Sequence, residues 1–206
     1  MVEKHKYMKR KFGMRMWLSG GWLVFLIAVT LMAPILSPHD PLAQDLFASR
    51  LPPFWMDGAE PGYYLGSDSL GRDVLSRILY GARIALVVAL IASTATCAIG
   101  TILGIISGYF GGWVDMIVSR LVDIWMAFPP VLFAILLIAV LGTGLTSIII
   151  AIIVIDWTRF CRVIRAETMS QGAMDYVSSA KAAGRSKFGI MIVEILPNVL
   201  PTIVVL

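Results

Sequence analysis

Long apolar runs alternate with short charged stretches along this chain, and the pattern predicts membrane-spanning helices. The longest runs cover residues 17–36, 84–110, 124–141 and 145–164. A helix crosses a bilayer with about 20 largely apolar residues. The runs are apolar on every side instead of alternating with polar residues, which favours helices over the strands of a membrane barrel. We therefore expect an all-α membrane protein with four spans.

The spans divide the chain into a tail, a first helix, a loop and a core. The tail is 1–16, the first span is 17–36, and a loop rich in proline and glycine covers 37–83. The core, 84–206, holds the other spans, an interruption at Pro129 and Pro130, a loop at 165–197 and the start of a fifth span at 198–206. That last run is too short to cross, so we expect a chain truncated after its fourth span.

Basic residues set the expected orientation of these spans. Six of them precede the first span: Lys4, Lys6, Lys9, Arg10, Lys11 and Arg15. Positive charge collects on the cytoplasmic side, so we expect a cytoplasmic N-terminus and an external loop at 37–83. Prolines and glycines predict little regular structure in this loop before about Leu70. A second basic stretch follows the fourth span, where the same rule again places the cytoplasm.

Composition supports the membrane and excludes several classes of protein. The chain is 58% hydrophobic and 15% charged, with a mean hydropathy of +0.84, which is too apolar for an ordinary soluble domain. The net charge of +4 lies beside the spans and does not indicate nucleic acid. Cys97 and Cys161 lack a metal or disulfide spacing and are interpreted as small buried hydrophobic residues. We expect neither a metal nor a cofactor.

No catalytic constellation is found in the sequence. His5 and His39 are the only histidines, which excludes a His-Glu-x-x-His site, and no Gly-x-Ser-x-Gly motif occurs. No lysine follows a glycine, so a Walker phosphate loop is absent and ATP hydrolysis would belong to another protein. Asp156 is an ionisable residue beside an apolar run. We favour an ion pair between Asp156 and Arg159, while a role in a solute pathway stays open.

Small side chains recur every four residues along the second span. These residues are Ala92, Thr96, Gly100, Gly104 and Gly108. Such spacing lets helix backbones approach closely in lipid. The stripe predicts a helix-packing face, directed either at another helix of this chain or at another subunit.

Residues 175–187 predict a helix, a turn and a second helix in the loop after the fourth span. Asp175 can cap the first helix, Gly184 suits its left-handed exit, and Ser186 can cap the next helix. A short polar helix of this kind needs a docking surface to be stable. We therefore expect this segment to contact another element or another protein.

This segment resembles the EAA loop of ABC importer permeases. The resemblance rests on Ser-Ser-Ala at 178–180, Gly184 after three more residues, and Ile-Leu-Pro at 195–197. Two serines replace the usual Glu-Ala, and Glu194 replaces a common isoleucine. In that family the loop forms a coupling helix that docks on an ATPase subunit. The resemblance implies coupling roles for Asp175, Tyr176, Ala180, Ala183, Gly184, Arg185 and Ser186.

A second motif narrows the resemblance. Asp40-Pro41 is followed by LGSDSLGRDVLSR at 65–77 and by YGAR at 80–83. This order is similar to the signature before the second span of C-type permease subunits for dipeptides, oligopeptides and nickel. The resemblance covers nearly the whole chain from Trp17 onward.

The family resemblance implies a type I importer permease of six spans in the inner membrane. Its partners would be a homologous B-type permease, two cytoplasmic ATPase subunits and an external solute-binding protein, with dipeptides or oligopeptides as the solute. Nickel or glutathione import is the alternative. A membrane enzyme would need more polar groups within its spans than Asp156. A receptor or scaffold would not explain residues 175–187, and an exporter typically lacks this loop pattern.

Overall fold

The computed structural model describes residues 14–206, and this part of the chain is helical. The basic residues up to Lys11, on which the expected orientation depends, lie outside the described residues. The helices are α1 (Met14–Leu31), α2 (Ala33–Leu36), α3 (Val74–Phe110), α4 (Gly112–Met126), α5 (Pro130–Leu141), α6 (Leu145–Gly172), α7 (Asp175–Ala182), α8 (Lys187–Gly189) and α9 (Leu196–Val205). A π-helical segment, Ile190–Ile195, joins α8 to α9.

The predicted third span, 124–141, is divided between two helices. α4 ends at Met126 and α5 begins at Pro130, and their axes are bent by 86°. Pro130 lacks a backbone N–H and clashes with a preceding helical turn, so it starts a helix more readily than it continues one. Residues 142–144 then separate α5 from α6.

Three helices have bounds that differ from the predicted ones. α3 begins at Val74, ten residues before the predicted second span at 84, and its 37 residues measure about 55 Å at 1.5 Å per residue. α6 continues to Gly172 instead of ending at 164. The last helical run begins at Lys187 and not at 198. Hydropathy marks where a helix can contact lipid, but backbone hydrogen bonding continues into charged sequence.

Two of the described helical segments are long and apolar enough to cross a membrane. They are Val74–Phe110 and Lys187–Val205, and a third crossing results if the bent pair α4 and α5 is counted as one span. The apolar helix Met16–Leu31 is shorter. α6 carries Asp156, Arg159 and Arg162 along its length. The predicted crossings by the first span and by α6 stay predictions.

The chain divides into two compact units, with the boundary at Val87 inside α3. Within the first unit, a loop between α2 and α3 has one short 3₁₀ turn, Leu46–Ala48, and an isolated bridge between Ser67 and Asp73. Regular structure resumes at Val74, close to the expected point. Side-chain and backbone hydrogen bonds, described below, hold this loop together.

The second unit is organised around α6, which contacts α4, α5, α7 and α9. One core cluster joins Val122, Trp157 and Cys161. A larger cluster contains seven buried residues: Ile105, Ile164, Val177, Ile190, Met191, Ile195 and Val199. The core therefore connects the short helix α7 with α3, α6 and the last helical run.

The glycines of the small-residue stripe on α3 pack against α6. A Cβ atom built at Gly104 would lie 2.9 Å from the carbonyl oxygen of Cys161, and one at Gly108 would lie 2.7 Å from that of Arg165. Gly100 faces Trp157 and Phe160 in the same way. Ala92 and Thr96 are buried. At the three glycines, the close partner is thus another helix of the same chain.

Candidate functional site

The helix α7 and the turn that follows form a surface feature with defined geometry. α7 begins at Asp175, and neither Asp175 nor Met174 caps it with a side chain. The expected cap at Asp175 is therefore wrong. Asp175 lies inside the first turn, where a carboxylate still interacts favourably with the positive end of the helix dipole.

The exit from α7 is a Schellman turn. The N–H of Arg185 donates to the carbonyl of Ala180 over 3.1 Å, and the N–H of Gly184 donates to that of Lys181 over 3.0 Å. Gly184 has a φ of 76°, in the left-handed region where a side chain is strained. The hydroxyl of Ser186 then accepts from the N–H of Gly189. The local expectations for Gly184 and Ser186 are confirmed.

One face of α7 packs on the second unit. Val177 is fully buried in the larger core cluster, with Tyr176 and Ala180 packed against it. The Tyr176 hydroxyl donates to Oε1 of Gln171 over 2.8 Å and accepts from the amide of Asn198. Tyr176 and Ala180, both expected among the coupling residues, therefore contact this chain's own helices.

The opposite face of α7 is exposed, together with the turn. Sequence reasoning identified five of its residues: Asp175, Ala183, Gly184, Arg185 and Ser186. It missed Ser178, Ser179 and Ala182, which are also exposed. Positions 175, 178, 179 and 182 follow the spacing of one helical face, and that periodicity could have found them. Most side chains of this face and turn are small, and Lys181 and Arg185 are the long basic ones.

A partly buried ion pair joins α4 to α6 near the C-terminal end of α3. Nη2 of Arg165 donates to Oδ2 of Asp115 over 2.5 Å, and Nε donates to the other carboxylate oxygen. The hydroxyl of Ser107, which is fully buried, donates to the same carboxylate over 2.6 Å. A second pair, Arg162 with Asp123, is more exposed. Sequence spacing gave no indication of the first pair, because its members are fifty residues apart.

The favoured ion pair between Asp156 and Arg159 is wrong. Among the ion pairs of residues 14–206, neither side chain takes part. Both residues are exposed and line a cavity of about 150 Å³. Residues three apart lie on the same face of a helix. This spacing allows their charged groups to form an ion pair but does not require it. The indole N–H of Trp125, on the opposite wall, donates to the carbonyl of Val154 over 2.5 Å.

The signature motif in the first unit folds around Asp68. Its Oδ1 accepts from the N–H groups of Leu70 and Arg72, and its Oδ2 accepts from the guanidinium groups of Arg72 and Arg77. Partial burial alone raises the pKa of Asp68, but the N–H groups and the Arg72 guanidinium outweigh it and lower the pKa to about 2.

Two glycines of this motif sit where no side chain fits. Gly66 has a φ of 77° and Gly71 a φ of 70°. A Cβ atom at Gly66 would overlap the carbonyl oxygen of Leu51, and one at Gly71 would overlap that of Asp45. The hydroxyl of Ser67, next to Gly66 in the chain, accepts from the N–H of Leu51 over 2.8 Å and donates to the carbonyl of Ala48. The motif is thus a closed turn with few free polar groups.

Comparison with known proteins identifies the family to which the chain is related. The family model of the binding-protein-dependent transport system inner membrane component matches residues 100–206. This range contains α4 to α9, including the exposed face of α7.

Individual relatives cover most of this chain. A dipeptide transport system permease protein of Haemophilus influenzae is 42% identical over 186 residues, which are 89% of this chain and 63% of the relative. A di/tripeptide transport system permease protein of Pseudomonas aeruginosa is 35% identical, covering 90% of this chain and 62% of the relative. A glutathione transport system permease protein of Pectobacterium atrosepticum is 36% identical, with 91% and 60% covered.

The chain spans about six tenths of the length of these curated relatives. Their match begins well before residue 100, since it includes nine tenths of this chain. The chain therefore belongs to the family of binding-protein-dependent transport system inner membrane components.

Proposed function

We propose that this chain forms part of the translocation path of an ATP-driven importer for dipeptides or oligopeptides. Family membership supports a transport role, and the names of the Haemophilus and Pseudomonas relatives support peptides as the solute. Glutathione, itself a small peptide, is the second candidate because a glutathione permease is 36% identical. Nickel stays an alternative from the sequence resemblance alone. The N-terminus is cytoplasmic in this proposal.

The proposed assembly contains this chain, a homologous permease subunit, two cytoplasmic ATPase subunits and an external solute-binding protein. The observation that carries it is the exposed face of α7, whose side chains are mostly small and which ends in the open turn at Gly184. Nothing in the described structure lies within 4 Å of a Cβ atom at Gly184, so a partner surface can approach there closely. We assign this face to the ATPase contact.

The inner face of α7 supports a route for motion. Val177 packs in one cluster with Ile164 of α6 and Ile105 of α3. The side chain of Tyr176 adds a hydrogen bond to Gln171, near the end of α6. When ATP closes the ATPase subunits, α7 would move as a lever and tilt α6, which alternates access to the path. Rigid packing at Val177 is what lets a displacement of α7 reach α6.

The transport proposal is tested with the full-length protein assembled with its partner subunits in proteoliposomes. We expect ATP-dependent uptake of labelled dialanine when the solute-binding protein is present, and none with a nonhydrolysable nucleotide. Competition with glutathione separates the two candidate solutes. Absence of ATP-dependent uptake of both peptides, from a complex that hydrolyses ATP, would contradict the proposal.

The coupling role is tested by two substitutions at one position. Asn and Asp both tolerate the left-handed conformation of Gly184 better than other side chains do, so they differ mainly in charge. We expect Gly184→Asp to abolish solute-stimulated ATP hydrolysis by placing an unpaired carboxylate in the contact. Gly184→Asn should keep most of it. Equal solute-stimulated ATP hydrolysis by the two variants would show that the turn is not part of the ATPase contact.

A further inference from the structure

The cavity beside α6 combines two opposite charges with an aromatic wall. Asp156 and Arg159 line one side, and Trp125, Phe128 and Phe133 line the other. Phe133 lies edge-on to Trp125 at 5.7 Å and stacks with Phe128 at 5.9 Å between ring centroids. The hydrogen bond from the Trp125 indole to Val154 fixes this wall on α6. The site is therefore built before any solute arrives.

The predicted crossing of the membrane by α6 would make an exposed charge at Asp156 costly. Asp156 lies about 16 Å along the axis from Leu145, at 1.5 Å per residue. With Leu145 at the membrane surface, this is about half of a hydrocarbon core of about 30 Å. A charge at such a depth is retained where it faces a water-filled cavity or a partner of opposite sign. Within residues 14–206, no ion pair neutralises Asp156 or Arg159.

From this geometry we infer that the cavity binds the charged termini of a zwitterionic peptide as it passes. The inference rests on the proposed function and names the residues that contact the solute. The ammonium group of the peptide donates to the carboxylate of Asp156, and its carboxylate accepts from the guanidinium of Arg159. The ring faces add cation–π attraction for the ammonium group. The two charges lie on the same face of α6 and do not pair with each other in the described structure, so both are free to contact one solute.

The size of the cavity restricts which solutes fit. Pockets for drug-sized ligands measure about 300–1,000 Å³. The 150 Å³ found here suits a dipeptide with small side chains or one end of a longer peptide. Dialanine, which carries both termini and two methyl groups, is therefore the probe. N-acetyl-dialanine and dialanine amide each lack one terminal charge and serve as matched comparisons.

Thiol protection in the full-length complex tests the inference directly. Cys97 and Cys161 are first replaced by serine, and a cysteine is then introduced by Phe128→Cys, at the exposed rim of the cavity. We expect dialanine to slow the reaction of this thiol with a small methanethiosulfonate reagent. Neither capped peptide should do so. Val131→Cys is the control, because Val131, three residues further along the chain in α5, is exposed but does not line the cavity.

Charge removal provides the second arm. Losing one charge-assisted hydrogen bond weakens binding by about tenfold or more. We therefore expect Asp156→Asn and Arg159→Gln each to raise the dialanine concentration needed for protection by that factor. Asp123→Asn, an exposed carboxylate on α4 outside the cavity, should leave it unchanged.

The outcomes separate this inference from the transport proposal. Normal dialanine uptake without protection of the introduced thiol, or with equal protection by the capped peptides, would overturn the inference alone. Protection that survives both Asp156→Asn and Arg159→Gln would also overturn it. Absence of ATP-dependent uptake from the parent complex would instead contradict the proposed function.

Discussion

Two glycine turns in this molecule look alike in sequence and differ in their surroundings. Gly71, in the loop before α3, and Gly184, after α7, both adopt a positive φ. A Cβ atom at Gly71 would overlap the backbone of Asp45, whereas one at Gly184 would meet nothing within 4 Å. The first turn is closed by its own chain. The second is open on its outer side, which is what a docking surface requires.

The difference teaches how to separate a structural glycine from a glycine at an interface. Positive φ alone explains why glycine is favoured in both turns. Close backbone approach adds a second requirement at Gly71, as it does at Gly66, but not at Gly184. At Gly184, the free space is the property that a partner subunit could use.

Replacing Gly71 should give the largest effect. Gly71→Ala adds backbone strain and overpacking, which cost about 1–3 kcal/mol each. We expect a marked fall in the melting temperature of the full-length protein in detergent and rapid proteolysis of the loop. Gly81→Ala is the control, since Gly81 is helical with open space around it. A Gly71→Ala protein as stable as the Gly81→Ala protein would refute the closed turn.

Replacing Gly184 by alanine should have a smaller effect on stability. Only the left-handed conformation opposes the new methyl group, at a cost of about 1–2 kcal/mol. Gly184→Asn should recover part of this loss, because Asn tolerates the conformation. Melting temperatures of the parent and both variants measure the order. If Gly184→Ala were as destabilising as Gly71→Ala, the contrast between the turns would fail.

Acid should give the smallest effect, and only in the closed turn. The pKa of Asp68 is lowered to about 2 from its ordinary 3.8. The stabilisation is therefore complete above pH 3.8 and is lost as the pH falls through about 2. As the pH falls through this range, the loop of the parent should become more sensitive to proteolysis, whereas the loop of Asp68→Asn should change less. Digestion with an acid-active protease measures the difference. An identical pH profile for the parent and the variant would contradict the role of the carboxylate.

Local chemistry explains what the sequence predicted well. Gly184 and Ser186 act within a few residues of themselves, and their backbone roles follow from residue type. Pro129 and Pro130 likewise indicated an interruption, although their pattern did not give its 86° angle. The motifs in the sequence indicated an importer permease, and the match of the family model agrees with that prediction.

Tertiary packing explains what the sequence did not predict. Tyr176 and Ala180 face inward because Val177 is drawn into a core built from distant helices. Asp156 and Arg159 stay apart although their spacing would allow contact, while Arg165 finds Asp115 fifty residues away. Partner choice among charges depends on how helices are placed, and a single sequence does not fix that placement.

Cross-linking from the outer face of α7 tests the central claim most directly. In the full-length complex, with the native cysteines replaced, Ser178→Cys places a thiol on the exposed face, and Asp57→Cys places one in the loop expected outside the cell. With a short cross-linker that joins a thiol to a lysine amine, we expect Ser178→Cys to cross-link to an ATPase subunit and Asp57→Cys not to do so. No ATPase adduct from Ser178→Cys, in a complex that still hydrolyses ATP, would contradict the claim that α7 is the coupling helix.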